Sequence, residues 1–140
     1  MTIDVTQHRE SLTWNEILSQ GAVWKSVINE LGQSASVENM LTSSRKAQSW
    51  LFVGCGTSFY LAEAAATCWT ILTGQPARAL PASEVLLYPV LTSGQNSDVQ
   101  AVVISRSGHT SEAVRAASAL KRELHFPTIG ITCANKSALE

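Results

Sequence analysis

The stretch VVISRSGHTSEAV, residues 102–114, joins a predicted strand to a predicted helix through a polar loop. Its first three residues are apolar and β-branched, which is typical of a buried strand. The loop, Ser105–Thr110, holds three hydroxyl residues and one glycine. A helix is predicted over Thr110–Leu124, where apolar residues recur every three or four positions. The loop is therefore either an ordinary polar turn or a cradle for an anionic ligand.

Four short apolar runs predict strands, and this loop follows the third of them. The runs are Trp50–Gly54, Ala77–Leu80, Val99–Ser105 and Pro127–Cys133. Because the runs are continuously apolar and alternate with predicted helices, they favour a parallel sheet that is covered on both faces. We expect an α/β fold with three layers, α/β/α, and a flavodoxin-like sheet of strand order 2-1-3-4-5. Residue 140 falls before any fifth strand, so we expect the sheet to be incomplete at its C-terminal end.

Capping residues and glycines predict where the helices of this part begin and end. The alanine-rich segment Ser58–Leu72 is expected to be a helix that ends at Gly74. Ser83 is expected to cap a short helix over residues 84–88. A further helix is expected to begin at Asn135.

Two domains are expected, a helical N-terminal segment over residues 1–46 and a main domain over residues 47–140. The apolar residues of the first segment recur at helical spacing. The face that they form needs cover, either from the main domain or from a second copy of the chain.

The helices of the N-terminal segment are also bounded by recognisable residues. Residues 1–12 are expected to be frayed. Thr13 and Glu16 match a capping box that would open a helix, and Gly32 is expected to end it. A second helix is expected to follow Ser36.

Composition and charge argue against several classes of partner. The net charge is −1 and the Lys and Arg residues are scattered, so no surface for nucleic acid or membrane is indicated. No apolar run has transmembrane length, and the N-terminus does not match a secretion signal. The three cysteines are far apart and lack zinc-site spacing, which suits a reducing compartment. We expect a cytoplasmic globular domain.

The strand order predicts where a ligand would bind. Open α/β sheets bind ligands at the carboxyl ends of the strands where the order reverses, here between the first and third strands. The loops that leave those strands are GCGTS, residues 54–58, and SRSGHT, residues 105–110. Both are rich in hydroxyl groups and glycine, and both lead into a helix N-terminus that favours negative charge. This combination predicts a site for a phosphate monoester.

Each loop contributes its own candidate residues. Glycine at positions 56 and 108 is expected to let the backbone approach a ligand oxygen closely. Neutral donors are expected from four hydroxyl side chains, Ser58, Ser105, Ser107 and Thr110. The nucleotide motifs GxxxxGK[ST] and GxGxxG are absent, so we expect no nucleotide cofactor.

At these residues the chain resembles the sugar isomerase (SIS) domain family. The motifs GCGTS, PASE (residues 81–84) and SRSGHTSE occur in its order and spacing. Within the family the chain resembles tagatose-6-phosphate ketose/aldose isomerases and the isomerase part of glutamine–fructose-6-phosphate aminotransferase. Arg106 and His109 replace a glutamine and a glutamate of the aminotransferase version, which favours the isomerase or aminosugar deaminase branch.

The resemblance implies a phosphosugar ligand and assigns roles to the two loops. Ser105, Ser107 and Thr110 would hold the phosphate, together with the backbone of Arg106 and Gly108. The first loop would reach the phosphate or the sugar hydroxyls through four residues, Cys55, Gly56, Thr57 and Ser58. No metal or other cofactor is implied.

The resemblance also implies that the catalytic residues are elsewhere. In the family two such domains pair, and the glutamate and lysine that move protons come from the second domain and the tail beyond it. This chain would hold the binding half of the site, and its own catalytic residues stay unassigned. A second SIS domain and a homodimer are the expected protein partners.

Each candidate also has a plain structural interpretation. Thr57 and Ser58 could simply cap their helix, and the Ser105–Thr110 loop could be a capped polar turn. The helix dipole favours a carboxylate such as Glu112 in the first turn of a helix, and His109 is typical of a solvated loop residue. Neither residue is therefore favoured for proton transfer. Cys55 lies near a helix N-terminus, which could lower the pKa of its thiol, but no neighbouring base supports a nucleophile.

The sequence therefore favours the first SIS domain of an aldose–ketose isomerase that acts on a hexose or aminohexose 6-phosphate, with or without loss of an amino group. Such a reaction moves a proton between C1 and C2 without metal or nucleotide. A non-catalytic phosphosugar sensor is the alternative, and a DNA-binding segment with a basic face would support it. A plain interaction module would follow if no phosphosugar bound.

Overall fold

The computed structural model describes residues 12–93 and 98–139. The chain divides into two compact units, residues 1–43 and residues 44–140. The expectation for residues 1–11 lies outside the described residues.

The first unit contains two described helices, α1 (Leu12–Gln33) and α2 (Ala35–Ser43). The capping box at Thr13 is wrong, because Leu12 already belongs to α1 and a capping residue must flank the helix. Helix α1 ends one residue beyond Gly32. Helix α2 begins at Ala35, before the predicted start after Ser36. Ser34 caps it, since its Oγ accepts the N–H of Val37 at 3.4 Å.

The second unit contains a parallel sheet and four further helices among its described residues. A short 3-10 helix, Ser44–Lys46, leads into it. The elements in chain order are β1 (Ser49–Gly54), α3 (Thr57–Thr73), β2 (Ala77–Pro81), α4 (Ala82–Leu87), α5 (Val90–Ser93), β3 (Val99–Ile104), α6 (Ser111–Arg122) and β4 (Thr128–Ile131).

The four described strands lie in the order β2-β1-β3-β4, all parallel. This confirms the predicted parallel sheet and the reversal of order between β1 and β3. The register aligns the last residues of the strands in one row: Gly54 pairs with Pro81 and Ile104, and Ile104 pairs with Ile131. The loops that follow these four residues therefore leave the sheet along a single edge.

Helices cover the sheet on both faces and complete the three-layer α/β/α fold. On one face Leu51, Val53 and Val103 pack with α4 and α6, where Leu120 is fully buried. On the other face lies α3. Its Ala62 and Ala66 pack against an aromatic cluster in which the rings of Trp50 and Trp69 lie 4.0 Å apart between centroids. Small side chains on α3 let that helix approach the bulky strand residues closely.

Two helix starts in this unit differ from the prediction. Ser83 lies inside α4 and does not cap it, because β2 ends at Pro81 and the helix begins directly afterwards. No helix begins at Asn135 within the described residues: residues 135–139 form turns, and Lys136 has φ 56°, which interrupts a right-handed helix. The predicted end of α3 is confirmed, since Gly74 adopts φ 72° and donates its N–H to the Thr70 carbonyl.

Candidate functional site

A cavity of about 790 Å³ opens at the carboxyl edge of the sheet, between the loops that leave β1 and β3. It lies within the size range of small-molecule sites. The sequence-derived candidates that line it are Cys55, Thr57, Ser58, Ser105, Arg106, Ser107 and Thr110. Gly56 and Gly108 belong to the same two loops but do not line it. The two loops therefore meet at one cavity, as the strand order predicts.

Three hydroxyl groups converge at the start of α6. The Oγ1 of Thr110 lies 3.5 Å from the Oγ of Ser105 and 3.5 Å from the Oγ of Ser107. Ser105 Oγ also accepts the N–H of Gly108, and Ser107 Oγ accepts the N–H of His109. These bonds fix the two serine side chains against the backbone of the loop. The hydroxyl groups are thereby held close together in front of a helix N-terminus, where an anion is favoured.

Helix capping does not account for these hydroxyl groups. Thr110 occupies the capping position of α6, yet its side chain makes no capping hydrogen bond. At the start of α3 the capping residue is Gly56, which has no side chain, and Thr57 and Ser58 lie inside the helix. Thr57, Ser58 and Thr110 therefore line the cavity without a capping role, which weakens the plain structural interpretation.

The two loop glycines both adopt a backbone conformation that favours glycine. Gly56 has φ 56° and Gly108 has φ 65°, a region that glycine enters without the strain of a Cβ. An ideal Cβ on Gly108 would overlap the Cβ and Oγ of Ser137. The Cβ side of Gly108 therefore faces the segment after β4.

Residues that the sequence reasoning missed form the rest of the cavity wall. They are Tyr60, Leu61, Ala64, Ile104, Ile131, Thr132 and Cys133. Thr132 and Cys133 follow β4 at the same sheet edge, so the rule that identified the first two loops could have found them. Tyr60 and Leu61 stand on the face of α3 that does not contact the sheet, and a helical projection of Thr57–Thr73 would separate them from Ala62 and Ala66.

The segment after β4 is tied to the loop after β3. The carbonyl of Arg106 accepts the N–H of Cys133 at 3.2 Å and the hydroxyl of Thr132 at 3.4 Å. The N–H of Ser105 donates to the carbonyl of Ile131 at 3.0 Å. These bonds continue the β3–β4 pairing beyond the sheet and leave the Arg106 side chain exposed at the cavity.

Cys55 contacts the first turn of α6 through Glu112. Its Sγ donates to Glu112 Oε2 at 3.9 Å. Burial raises the pKa of the Cys55 thiol, and the carboxylate of Glu112 raises that pKa further through its charge and the hydrogen bond. The position of Cys55 near a helix N-terminus therefore does not lower the pKa of its thiol, because burial and the carboxylate both raise it. The contact disfavours Cys55 as a nucleophile.

The electrostatics of the cavity suit an anion held mostly by neutral donors. Among the described residues that line it, Arg106 alone carries a full charge, and no carboxylate or imidazole is present. His109 and Glu112 are exposed and lie outside the lining. No cluster of His, Cys, Asp or Glu among the described residues could hold a metal ion. No helix within residues 12–93 and 98–139 is long and apolar enough to cross a membrane.

The profile of the SIS domain matches residues 44–140, which is more than half of the chain. The chain therefore belongs to the SIS domain family. No curated protein matches it in sequence.

Solved structures of phosphosugar enzymes have the same fold. Tagatose-6-phosphate ketose/aldose isomerase from Escherichia coli is 25% identical, with a TM-score of 0.75 over 93% of this chain and 36% of that one. Glucosamine-6-phosphate deaminase from Thermotoga maritima is 31% identical, with a TM-score of 0.61 over 71% of this chain and 30% of that one. The chain thus spans about a third of the length of these proteins.

The C-terminal domain of glucosamine-fructose-6-phosphate aminotransferase from Francisella tularensis also has this fold. It is 21% identical, with a TM-score of 0.72 over 99% of this chain and 38% of that one. At that identity the likeness concerns the fold alone.

Proposed function

We propose that the chain is the phosphosugar-binding SIS domain of an enzyme that isomerises or deaminates a hexose or aminohexose 6-phosphate. The observation that carries this proposal is the convergence of Ser105, Ser107 and Thr110 at the N-terminus of α6. A phosphate monoester accepts hydrogen bonds through several oxygens, so three adjacent hydroxyls and a helix N-terminus match its chemistry. The names of two similar structures, a tagatose-6-phosphate isomerase and a glucosamine-6-phosphate deaminase, support the same ligand class.

The first loop supplies the second side of the proposed site. Thr57 and Ser58 line the cavity at the first turn of α3, opposite the phosphate loop. Their hydroxyls and the Arg106 side chain would bind the remaining phosphate oxygens or the sugar hydroxyls. Fixing the phosphate in this way holds C1 and C2 of the sugar at one place, which lowers the entropic cost of a proton transfer between them.

Proton transfer itself requires a base that this cavity does not provide. A general base must lie within hydrogen-bond reach of the proton it removes. No Asp, Glu, His or Lys side chain is among the described residues of the cavity wall. In our proposal the glutamate and lysine that move protons therefore come from a second SIS domain or from the segment beyond it, and this chain supplies binding.

Phosphorus NMR tests the ligand class directly. The purified chain would be titrated separately into glucosamine, galactosamine, tagatose and fructose 6-phosphates. We expect a saturable shift or broadening of at least one phosphorus signal without new product peaks. A lack of change with all four would overturn the phosphosugar proposal, and new peaks would overturn the assignment of catalysis to another domain.

A non-catalytic phosphosugar sensor is the second candidate, favoured by the same lack of acid–base groups in the cavity wall. The two functions differ in what the intact protein does with bound ligand. Single-turnover incubation of the intact protein with the bound sugar phosphate would yield a new ketose or aldose for an enzyme and only unchanged ligand for a sensor.

The proposal includes a second copy of the chain and a cytoplasmic setting. The apolar stripe on α1 supports an association between copies, because exposed side chains such as Trp24 and Ile28 need cover. The three cysteines are free thiols, which suits the reducing conditions of the cytoplasm.

A further inference from the structure

A buried hydroxyl group lies in the turns after β4. Ser137 is only 7% exposed, while the preceding Lys136 is exposed. The Oγ of Ser137 has no hydrogen-bond partner among the described residues. A buried hydroxyl without a partner costs free energy, so hydrogen bonding does not explain why this side chain is enclosed.

Its position is explained by the space that it fills beneath the loop after β3. An ideal Cβ placed on Gly108 would overlap the Cβ and Oγ of Ser137 before any other atom. The same Cβ would lie 2.8 Å from the Oγ1 of Thr132. Gly108 is itself buried and has φ 65°. Gly108 is therefore packed so closely against Ser137 that it cannot gain a Cβ without displacing that side chain.

The backbone of the same segment holds the other end of the loop. Cys133 and Thr132 both donate to the carbonyl of Arg106. The loop after β3 is thus fixed at Arg106 by hydrogen bonds and at Gly108 by packing against Ser137. The hydroxyls of Ser107 and Thr110 lie on either side of Gly108, so a shift of this glycine changes the distance between them.

We propose that Ser137 is a positioning residue, which sets the geometry of the Ser105–Thr110 loop through Gly108 without touching the ligand. This inference rests on the proposed function, because it concerns the affinity of that loop for a phosphate group. It assigns a role to the segment after β4, which lies outside the loop motifs of residues 54–58 and 105–110.

The first test enlarges the side chain beneath the loop. In Ser137→Val two methyl groups replace the hydroxyl that lies against Gly108. We expect the dissociation constant for a bound hexose 6-phosphate, measured by phosphorus NMR, to rise about tenfold or more. Inorganic phosphate should lose affinity by a similar factor, since the change concerns the phosphate loop and not the sugar.

The second test removes the contact from both sides. Gly108→Ala should weaken binding strongly, because the new methyl group meets Ser137. Ser137→Gly removes the two nearest atoms that this methyl group meets and leaves the Oγ1 of Thr132, at 2.8 Å. The double variant Gly108→Ala with Ser137→Gly should therefore recover about tenfold in affinity relative to Gly108→Ala alone. The strain of alanine at φ 65° remains in both, so recovery will be partial. A double-mutant cycle isolates this coupling from other effects.

A matched control separates positioning from loss of stability. Thr92 is fully buried, and its hydroxyl donates to the Pro89 carbonyl, away from the cavity. Thr92→Val should lower the thermal midpoint and leave the dissociation constant for phosphate unchanged. Circular dichroism before each titration identifies any variant that has not folded. If Ser137→Val has not folded, the double-mutant cycle tests the positioning role by itself.

The outcomes distinguish this inference from the proposed function. If the wild-type chain binds none of the four hexose 6-phosphates, the proposed function fails first. If it binds and folded Ser137→Val binds as tightly, or if Ser137→Gly gives Gly108→Ala no recovery, the positioning role is overturned. Reduced affinity of Ser137→Val together with recovery in the double variant is the expected result.

Discussion

The thiol of Cys55 donates a hydrogen bond to the carboxylate of Glu112, with Sγ 3.9 Å from Oε2, and this contact joins the residue after β1 to the first turn of α6. It spans the point where the strand order reverses. The hydroxyl of Ser111 also donates to the same carboxylate oxygen. Glu112 therefore connects the loop after β1 to the start of α6 from outside the cavity lining.

The first prediction concerns the reactivity of Cys55. The carboxylate of Glu112 is one cause of the raised pKa of this thiol, so Glu112→Gln should lower that pKa. Because only the thiolate is nucleophilic, alkylation of Cys55 should then begin at a lower pH than in the wild-type chain. Iodoacetamide labelling between pH 7 and about 10, read by peptide mass spectrometry, measures this profile. Cys68 serves as the internal control, and an unchanged Cys55 profile would contradict the prediction.

The second prediction concerns stability in alkaline solution. The folded pKa of Cys55 lies above its unfolded value, so the folded state holds this proton more tightly. The contribution is fully present below the unfolded pKa and is lost as pH rises through the folded pKa. The free energy of unfolding should therefore fall on the alkaline side, and Cys55→Ser should reduce this fall. Urea titrations at several pH values measure it, and identical slopes for the two chains would contradict it.

The third prediction separates phosphate binding from helix capping at Thr110. Loss of a capping side chain costs about 1 kcal/mol of stability. The Thr110 side chain makes no capping hydrogen bond and only two long contacts of 3.5 Å with neighbouring hydroxyls, so Thr110→Val should lower the unfolding midpoint in urea only slightly. If its hydroxyl binds phosphate, affinity for the sugar phosphate should fall about tenfold to a hundredfold, as for one hydrogen bond to a charged group.

Ser111→Ala is the matched control for Thr110→Val. It also removes one hydroxyl from the start of α6, but Ser111 is exposed and does not line the cavity. This variant should bind the sugar phosphate with the same dissociation constant as the wild-type chain, measured by phosphorus NMR. A stability loss in Thr110→Val with unchanged affinity would support the capping interpretation instead.

The fourth prediction concerns the close packing of β1 against the start of α3. An ideal Cβ on Gly54 would overlap the carbonyl of Ser58 and approach the backbone nitrogen of Phe59. Backbone atoms cannot give way as a flexible side chain can, so Gly54→Ala should displace the first turn of α3 and cost about 1–3 kcal/mol. Gly74→Ala is the control, because it meets no atom and suffers only the strain of φ 72°. Equal losses in urea denaturation would contradict the packing argument.

The sequence predicted the sheet well because buried parallel strands are continuous apolar runs. Val99–Ile104 is buried at every residue, which is the pattern that identified it. The reversal of strand order then followed from a known topology, and with it the meeting of the two loops. Local patterns and a general rule of connectivity were sufficient for both.

Helix starts and the segment after β4 were harder to predict for physical reasons. Ser34 and Ser36 are both competent capping residues, and the sequence does not say which of them leaves helical geometry. The helix start predicted at Asn135 was wrong because Lys136 adopts a positive φ, and no local sequence motif indicates this conformation. The contact of Ser137 with Gly108 joins residues far apart in sequence, so it became visible only in the folded chain.

The last prediction concerns association through α1. Large apolar side chains along one stripe of this helix are exposed, including Trp24 at 64% and Ile28 at 69%. If a second copy covers the stripe, a charge in it must be buried without a partner on association, which is costly. Ile28→Glu should therefore shift the mass measured by sedimentation equilibrium from dimer towards monomer, with a dimer dissociation constant about a hundredfold higher.

Asn29→Glu provides the matched control for this association. It adds the same charge at the next position, which points about 100° away around the helix axis. This variant should remain dimeric at concentrations where Ile28→Glu is monomeric. A monomeric wild-type chain, or equal masses for the two variants, would show that α1 does not mediate self-association.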